Sequence, residues 1–137
     1  MLEKILCVDD DPITLMLCKK VIERAAFARE ILVSNNGEEA FQCFKELAEK
    51  HKNNHSFTYP KLIFLDLNMP IMNGWEFLAI YTKNGYPSIF TDAKFIVLSS
   101  TIDPKDVEQT KSYSVVIDFL SKPITKDMLE KLKQTFF

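Results

Sequence analysis

Cysteine is scarce in this chain. Cys7, Cys18 and Cys43 are the only three, and no two of them form a CxxC pair. An odd count without that spacing indicates neither a disulfide framework nor a zinc knuckle. Reduced thiols held in a core are the expectation. Long apolar runs are missing too, for none approaches the roughly 20 residues that a membrane span needs. The start, MLEKILCVDDD, has neither a long apolar segment nor a small-residue cleavage site, so no signal peptide is read and a cytoplasmic location is expected. Positive charge is not in excess. A net charge of −2 argues against nucleic acid or a membrane surface as the partner. No internal repeat or linker interrupts the chain, and 137 residues suit one domain over 1–137 with a core of its own.

Two hydrophobic periods alternate along the sequence. Short β-rich apolar runs lie at 5–8, 31–33, 62–65, 95–98 and 115–120, each too short for a helix. Between them the spacing is helical. Leu17, Val21, Ile22 and Ala25 predict one apolar stripe, and Ala40, Phe41, Phe44, Leu47 and Ala48 a second. Met128, Leu129, Leu132 and Phe136 predict a third at the end. Helix starts are marked as well. Asp11-Pro12 and Asp103-Pro104 each place a capping carboxylate before a proline, Thr125 can cap the last helix, and Gly37 suits the turn before the second. Strands alternating with helices predict an α/β fold with a parallel sheet between helices. Strand runs almost free of polar residues agree, being buried on both faces. The expected architecture is a five-stranded doubly wound, flavodoxin-like (βα)5 sheet in the order 2-1-3-4-5.

The most polar stretch is HKNNHSFTYP at 51–60. His51 and His55 stand at the spacing of a helical metal pair, but no third ligand is near, and a solvated loop is the expectation.

In a doubly wound sheet, ligands bind beyond the carboxyl ends of the strands. The first strand ends in Asp9-Asp10-Asp11 and the third in Asp66-Leu67-Asn68-Met69-Pro70. The fourth ends in Ser99-Ser100-Thr101 and the fifth in Ser121-Lys122-Pro123. The first and third strands are neighbours in the expected order, about 4.8 Å apart, so their terminal carboxylates converge. Without a counterion, such groups raise one another's pKa. A divalent cation removes that conflict, and an all-oxygen ligand set with room for water suits Mg²⁺. Magnesium in turn implies phosphate, which a hydroxyl of Ser99 or Ser100 and the mobile charge of Lys122 suit. Asp9 and Asp10 are thus read as metal residues, and Asp11 as a helix cap.

VDDDP, LDLNMPIMNGWEFL, VLSS and LSKP stand at the ends of the first, third, fourth and fifth strands. With them, the chain resembles, over nearly its whole length, a response-regulator receiver domain of two-component signalling, chemotaxis-regulator-like. The resemblance implies that Asp66 is the phosphoacceptor, taking a phosphoryl group from a phosphohistidine. It implies that Asp10 binds Mg²⁺ directly, that Asp9 acts mostly through water, and that Asn68 supplies a backbone carbonyl beside Asp66. Ser99 would be the switch hydroxyl, Lys122 a phosphate contact before a cis proline, and Phe119 the switch aromatic, with Gly74 in the turn into the third helix. The implied partner is a sensor histidine kinase or phosphotransfer protein. A homodimer through the fourth helix, fifth strand and fifth helix is the second expectation. Ser114, Val115, Val116 and Ile117 depart from the small residues usual before the last strand, and the loops at 51–60 and 84–93 are long. With no output domain after Phe137, a stand-alone receiver is implied.

One rival uses the same chemistry for another end. A magnesium-dependent phosphatase of the haloacid dehalogenase type would use Asp9-Asp10-Asp11 as its nucleophile motif. It would need a further acidic pair after the lysine, which the sequence does not supply, and it leaves Asp66 within LDLNMP unexplained.

Overall fold

The computed structural model describes residues 1–53 and 58–137. In chain order the elements are β1 (Leu2–Val8), α1 (Pro12–Arg24), β2 (Ala28–Ser34), α2 (Gly37–Asn53), β3 (Leu62–Leu65), α3 (Gly74–Lys83), α4 (Tyr86–Ile89), β4 (Lys94–Ser99), α5 (Pro104–Thr110), β5 (Val116–Ser121) and α6 (Lys126–Phe136). The strands form one parallel sheet in the order β2-β1-β3-β4-β5, the expected doubly wound arrangement.

Alternation along the central strands sorts the core into two layers. Leu6, Val8, Ile63, Leu65 and Phe95 face α2, α3 and α4, where Phe44, Tyr81, Tyr86 and Phe90 pack edge to ring and Phe77 lies tilted against Phe95. Ile5, Cys7, Leu62, Phe64, Ile96 and Leu98 face the opposite way, onto Leu15, Cys18 and Ile22 of α1 and Leu129 and Leu132 of α6. All four residues of β3 are buried between the two layers, which is why it reads as an unbroken apolar run.

The helix starts follow their sequence signals. The Asp11 carboxylate accepts from the Ile13 amide and the Thr14 hydroxyl, Asp103 accepts from the Lys105 amide, and Thr125 from the Met128 amide. Asn73 and Glu76 close a reciprocal capping box at α3. Gly37 is the first residue of α2 and not a turn residue ahead of it.

Other expectations are corrected. On α1 the buried face is Leu15, Cys18 and Ile22, while Leu17 is 45% exposed and Val21 and Ala25 only border the core. Of the expected stripe only Ile22 lies on the buried face, because Cys18 takes the inward position one turn before it. Phe136 is also largely outside, at 38% exposure. β1 and β2 begin before their apolar runs because the charged residues there pair across the strands, Lys4 with Glu30 and Arg29 with Glu3. A sixth helix, the single turn α4, fills the loop at 84–93. It starts from Gly85 at φ 73°, a left-handed position that glycine adopts without strain. The helix after β4 is therefore α5, and the last helix α6. The stretch at 51–60, expected as a solvated loop, is helical as far as Asn53, so His51 stands in the last turn of α2, while His55 lies outside the described residues.

Candidate functional site

Four segments bring polar side chains to the carboxyl edge of the sheet. β1 leads into Asp9 and Asp10, β3 into Asp66, β4 ends at Ser99, and β5 runs into Lys122. The Asp66 amide donates to the Val8 carbonyl, and the Lys122 amide to the Ser99 carbonyl. These bonds extend the β1–β3 and β4–β5 pairings by one residue, so the site residues are held by the sheet itself.

Gly74 completes the framework. A Cβ there would stand 2.6 Å from the Asp66 carbonyl oxygen and 2.9 Å from Leu67 Cα, distances no side chain tolerates. The N-terminus of α3 therefore approaches the backbone of Asp66 directly.

Asp9, Asp66 and Ser99 are buried at 5%, 7% and 6% exposure, whereas Asp10 and Ser100 face solvent. One carboxylate oxygen from each of Asp9, Asp10 and Asp66 lies within 4.8 Å of the other two. Lys122 Nζ reaches two of them, 2.7 Å from Asp9 Oδ2 and 3.4 Å from Asp66 Oδ1. Burial pushes the Asp66 carboxyl above the usual carboxylate range and the Asp9 charge adds to it, against the counteracting charge of Lys122. For Lys122, burial alone would lower the pKa. The hydrogen bond to Asp9 and the charges of Asp66 and Asp9 outweigh it, so the ammonium is held more firmly than usual. The hard oxygen set, with the Lys122 ammonium already drawn onto two of its carboxylates, fits a divalent metal ion.

The sequence expectations divide accordingly. Asp9, Asp10, Asp66 and Lys122 are brought together, and Ser99, not Ser100, is the buried hydroxyl. Asn68 follows Asp66, its amide directed at Asp66 Oδ1 at 3.5 Å. The Lys122-Pro123 peptide is cis. Phe119 is half-buried on β5, paired in register with Val97, in a groove shared with Ile102, Val107, Thr110 and Lys111. It lies below the Ser99–Ser121 pair on the α5 side.

Two features were not foreseen. One is the position of Lys122 on Asp9, which had been read only as a phosphate contact. Its place one residue past the end of β5 fixes how far the side chain reaches, and that needs the register. The other is the juxtaposition of Cys7 and Cys18, which line one small void between β1 and α1. Their interaction pushes the Cys7 thiol up and the Cys18 thiol down. Periodicity could have found it only if Cys18 had been placed on the inner face of α1.

Comparison with known proteins agrees with this geometry. The response regulator receiver domain family matches residues 5–134. Hybrid signal transduction histidine kinase C of Dictyostelium discoideum is 30% identical over 132 residues, which cover 93% of this chain and 10% of that protein. The peroxide stress-activated histidine kinase mak3 of Schizosaccharomyces pombe is 29% identical over 134 residues, covering 94% and 5%. The chain thus spans a tenth or less of the length of these two relatives. Among solved structures, a two-component response regulator from Cytophaga hutchinsonii superposes with a TM-score of 0.78 at 26% identity, covering 98% of this chain and 96% of that one. The chemotaxis protein CheY4 of Vibrio cholerae superposes at 0.69 with 25% identity, each chain covered in full. With its sheet order, its acidic edge and a match over all but the termini, this chain belongs to the family of response regulator receiver domains.

Proposed function

We propose that this protein is a phosphoryl-accepting switch of two-component signalling, with Asp66 as the acceptor. The observation that carries the reading is the convergence of Asp9, Asp66 and Lys122 at one buried edge, with Ser99 ending the neighbouring strand. An oxygen of Asp66 attacks the phosphorus of a phosphohistidine. A P–O bond forms as the P–N bond breaks, and the imidazole leaves with its electron pair. Lys122, already within reach of Asp66, turns from that carboxylate to an oxygen of the incoming group. Asp9, Asp10, Asp66 and the backbone carbonyl of Asn68 would hold Mg²⁺, which offsets the charge of the phosphoryl oxygens when bound.

Phosphorylation adds about −1.5 to −2 of charge beside Ser99. Ser99 moves toward it, opening room for Phe119 to turn inward from its groove between β5 and α5. The output is a changed surface on α5, β5 and α6, where a partner or second copy of the chain binds.

The partner that delivers the phosphoryl group is a histidine kinase or phosphotransfer protein. Exposed apolar side chains on the segments that follow the site strands support this reading. Ile13, Met16 and Leu17 on α1, Ile71 after β3 and Ile102 after β4 are all exposed large hydrophobics. Ile71 is 74% exposed at φ 69°, where a β-branched side chain is strained. No helix among the described residues is long and apolar enough to cross a membrane.

The test is phosphotransfer from acetyl phosphate and from a phosphorylated kinase, with and without Mg²⁺. Wild type should label, the Asp66→Asn protein should not, and a chelator should stop the reaction. Labelling of Asp66→Asn equal to wild type would overturn the assignment. Beryllofluoride should shift amide resonances along α5 and β5, and shifts confined to the neighbourhood of Asp66 would refute the output mechanism.

A further inference from the structure

Beneath the acidic edge lies a void of about 10 Å³ lined by Cys7, Val8, Asp9, Leu15, Cys18, Phe64, Asp66 and Leu98. Two of its walls are thiols. Cys7 points from β1 and Cys18 from α1 into the same apolar layer, and both border this one small void. Cys43 lies apart on α2 and is only partly buried. The thiol pair therefore joins the strand that carries Asp9 to the helix that follows it. The connection between them is short and tightly tied. Asp9 Oδ1 accepts from the Asp11 amide, and Asp11 caps α1.

We propose that Cys7 and Cys18 are a redox-sensitive pair, closed to a disulfide by a hydroperoxide, and that the closed form loses phosphoryl acceptance at Asp66. The Cys18 sulfur attacks the peroxide, the O–O bond breaks, and Cys18 becomes a sulfenic acid as water or an alcohol leaves. The Cys7 sulfur then attacks that sulfur, the S–S bond forms, and water departs with the thiol proton. Two thiols are oxidised and one peroxide is reduced. A disulfide needs the sulfurs about 2.05 Å apart, much closer than two sulfurs not bonded to each other can stand, so closure draws α1 onto β1. The loop between them carries Asp9 and Asp10, and their carboxylates move with it. Both thiols are shielded, at 2% and 5% exposure, so oxidation waits on local opening of α1 and records sustained oxidant.

The effect on acceptance rests on the function proposed for Asp66, while the cross-link itself does not. The full chain is treated with hydrogen peroxide, and disulfides are mapped by mass spectrometry of its peptides. A Cys7–Cys18 link is expected, removed by dithiothreitol. Mg²⁺ affinity and labelling by acetyl phosphate should fall about ten- to a hundredfold in the oxidised form, the usual result of displacing a group that orients metal ligands. Cys18→Ala should keep both in peroxide, and Cys43→Ala should lose both as wild type does. Oxidation of Cys43 with no Cys7–Cys18 link would overturn the proposal. So would a link that leaves Mg²⁺ affinity and labelling unchanged. If the reduced protein takes no phosphoryl group, the function assigned to Asp66 falls. The switch is then decided by Mg²⁺ affinity alone, where weaker binding on oxidation supports it and equal binding overturns it.

Discussion

Replacing Asp66 by Asn should stabilise the metal-free protein while abolishing its phosphorylation. Asp66 Oδ1 lies 3.4 Å from Lys122 Nζ, an attraction of ~5 kcal/mol at an effective dielectric constant of ~20. Against it stands Asp9, with a carboxylate oxygen no more than 4.8 Å away, a repulsion of ~3.5 kcal/mol on the same scale. Asp10 lies within the same limit but is exposed, so solvent reduces its share to ~1 kcal/mol or less. Attraction and repulsion thus nearly cancel. What is left is the cost of burying the charge, the largest cause of the raised Asp66 pKa. The neutral amide escapes that cost and keeps the shape. A gain of about 1 kcal/mol, or about 3 °C in Tm, is expected at neutral pH without metal.

The pH dependence follows. A carboxyl with a raised folded-state pKa binds its proton more tightly when folded, so wild type gains stability as pH falls through that pKa. The advantage of Asp66→Asn should be full at neutral pH and gone below about pH 4, where Asp66 is protonated in both states. Magnesium should reverse the order, because wild type keeps the complete ligand set and is stabilised by binding. Urea unfolding of both proteins, with and without Mg²⁺ across this range, measures all of this. An Asp66→Asn protein less stable than wild type at neutral pH without metal would refute the balance of charges argued here.

Three further outcomes are expected. Lys122→Ala leaves Asp9 and Asp66 facing each other without a cation, so metal-free stability should drop by about 2–3 kcal/mol and recover as Mg²⁺ is titrated in; a loss that Mg²⁺ does not reduce would count against a shared cation site. Tyr81 is fully buried and its hydroxyl has no hydrogen-bond partner among the described residues, so Tyr81→Phe should raise the urea midpoint, by about 1–2 kcal/mol in stability. Phe44 touches the rings of Phe77, Tyr81, Phe90 and Phe95 at the centre of its layer, so Phe44→Ala should cost about 3–5 kcal/mol by thermal unfolding.

The sequence by itself determined the architecture, because its signals are local. Strand runs almost free of polar residues pointed to burial on both faces, which the central β1, β3 and β4 have and the edge strands β2 and β5 do not, and the alternation with helices required a parallel sheet. Asp11, Asp103 and Thr125 marked helix starts through bonds to amides only two or three residues away. The order of the strands then placed Asp9, Asp10, Asp66, Ser99 and Lys122 at one edge. The tertiary structure decided what depends on register and on which way a helix is turned. Hydropathy could not choose between Leu17 and Cys18 for the inner face of α1, because both are apolar enough and only packing against β1 separates them. For the same reason the Cys7–Cys18 contact was not legible. Nor could composition show that Lys122 rests on Asp9 as well as Asp66, since a long flexible side chain takes the position that the surrounding charges dictate. Charged residues in β1 and β2 extend the sheet past its apolar runs, because each finds an opposite charge on the neighbouring strand, a partner that exists only once the two strands are paired.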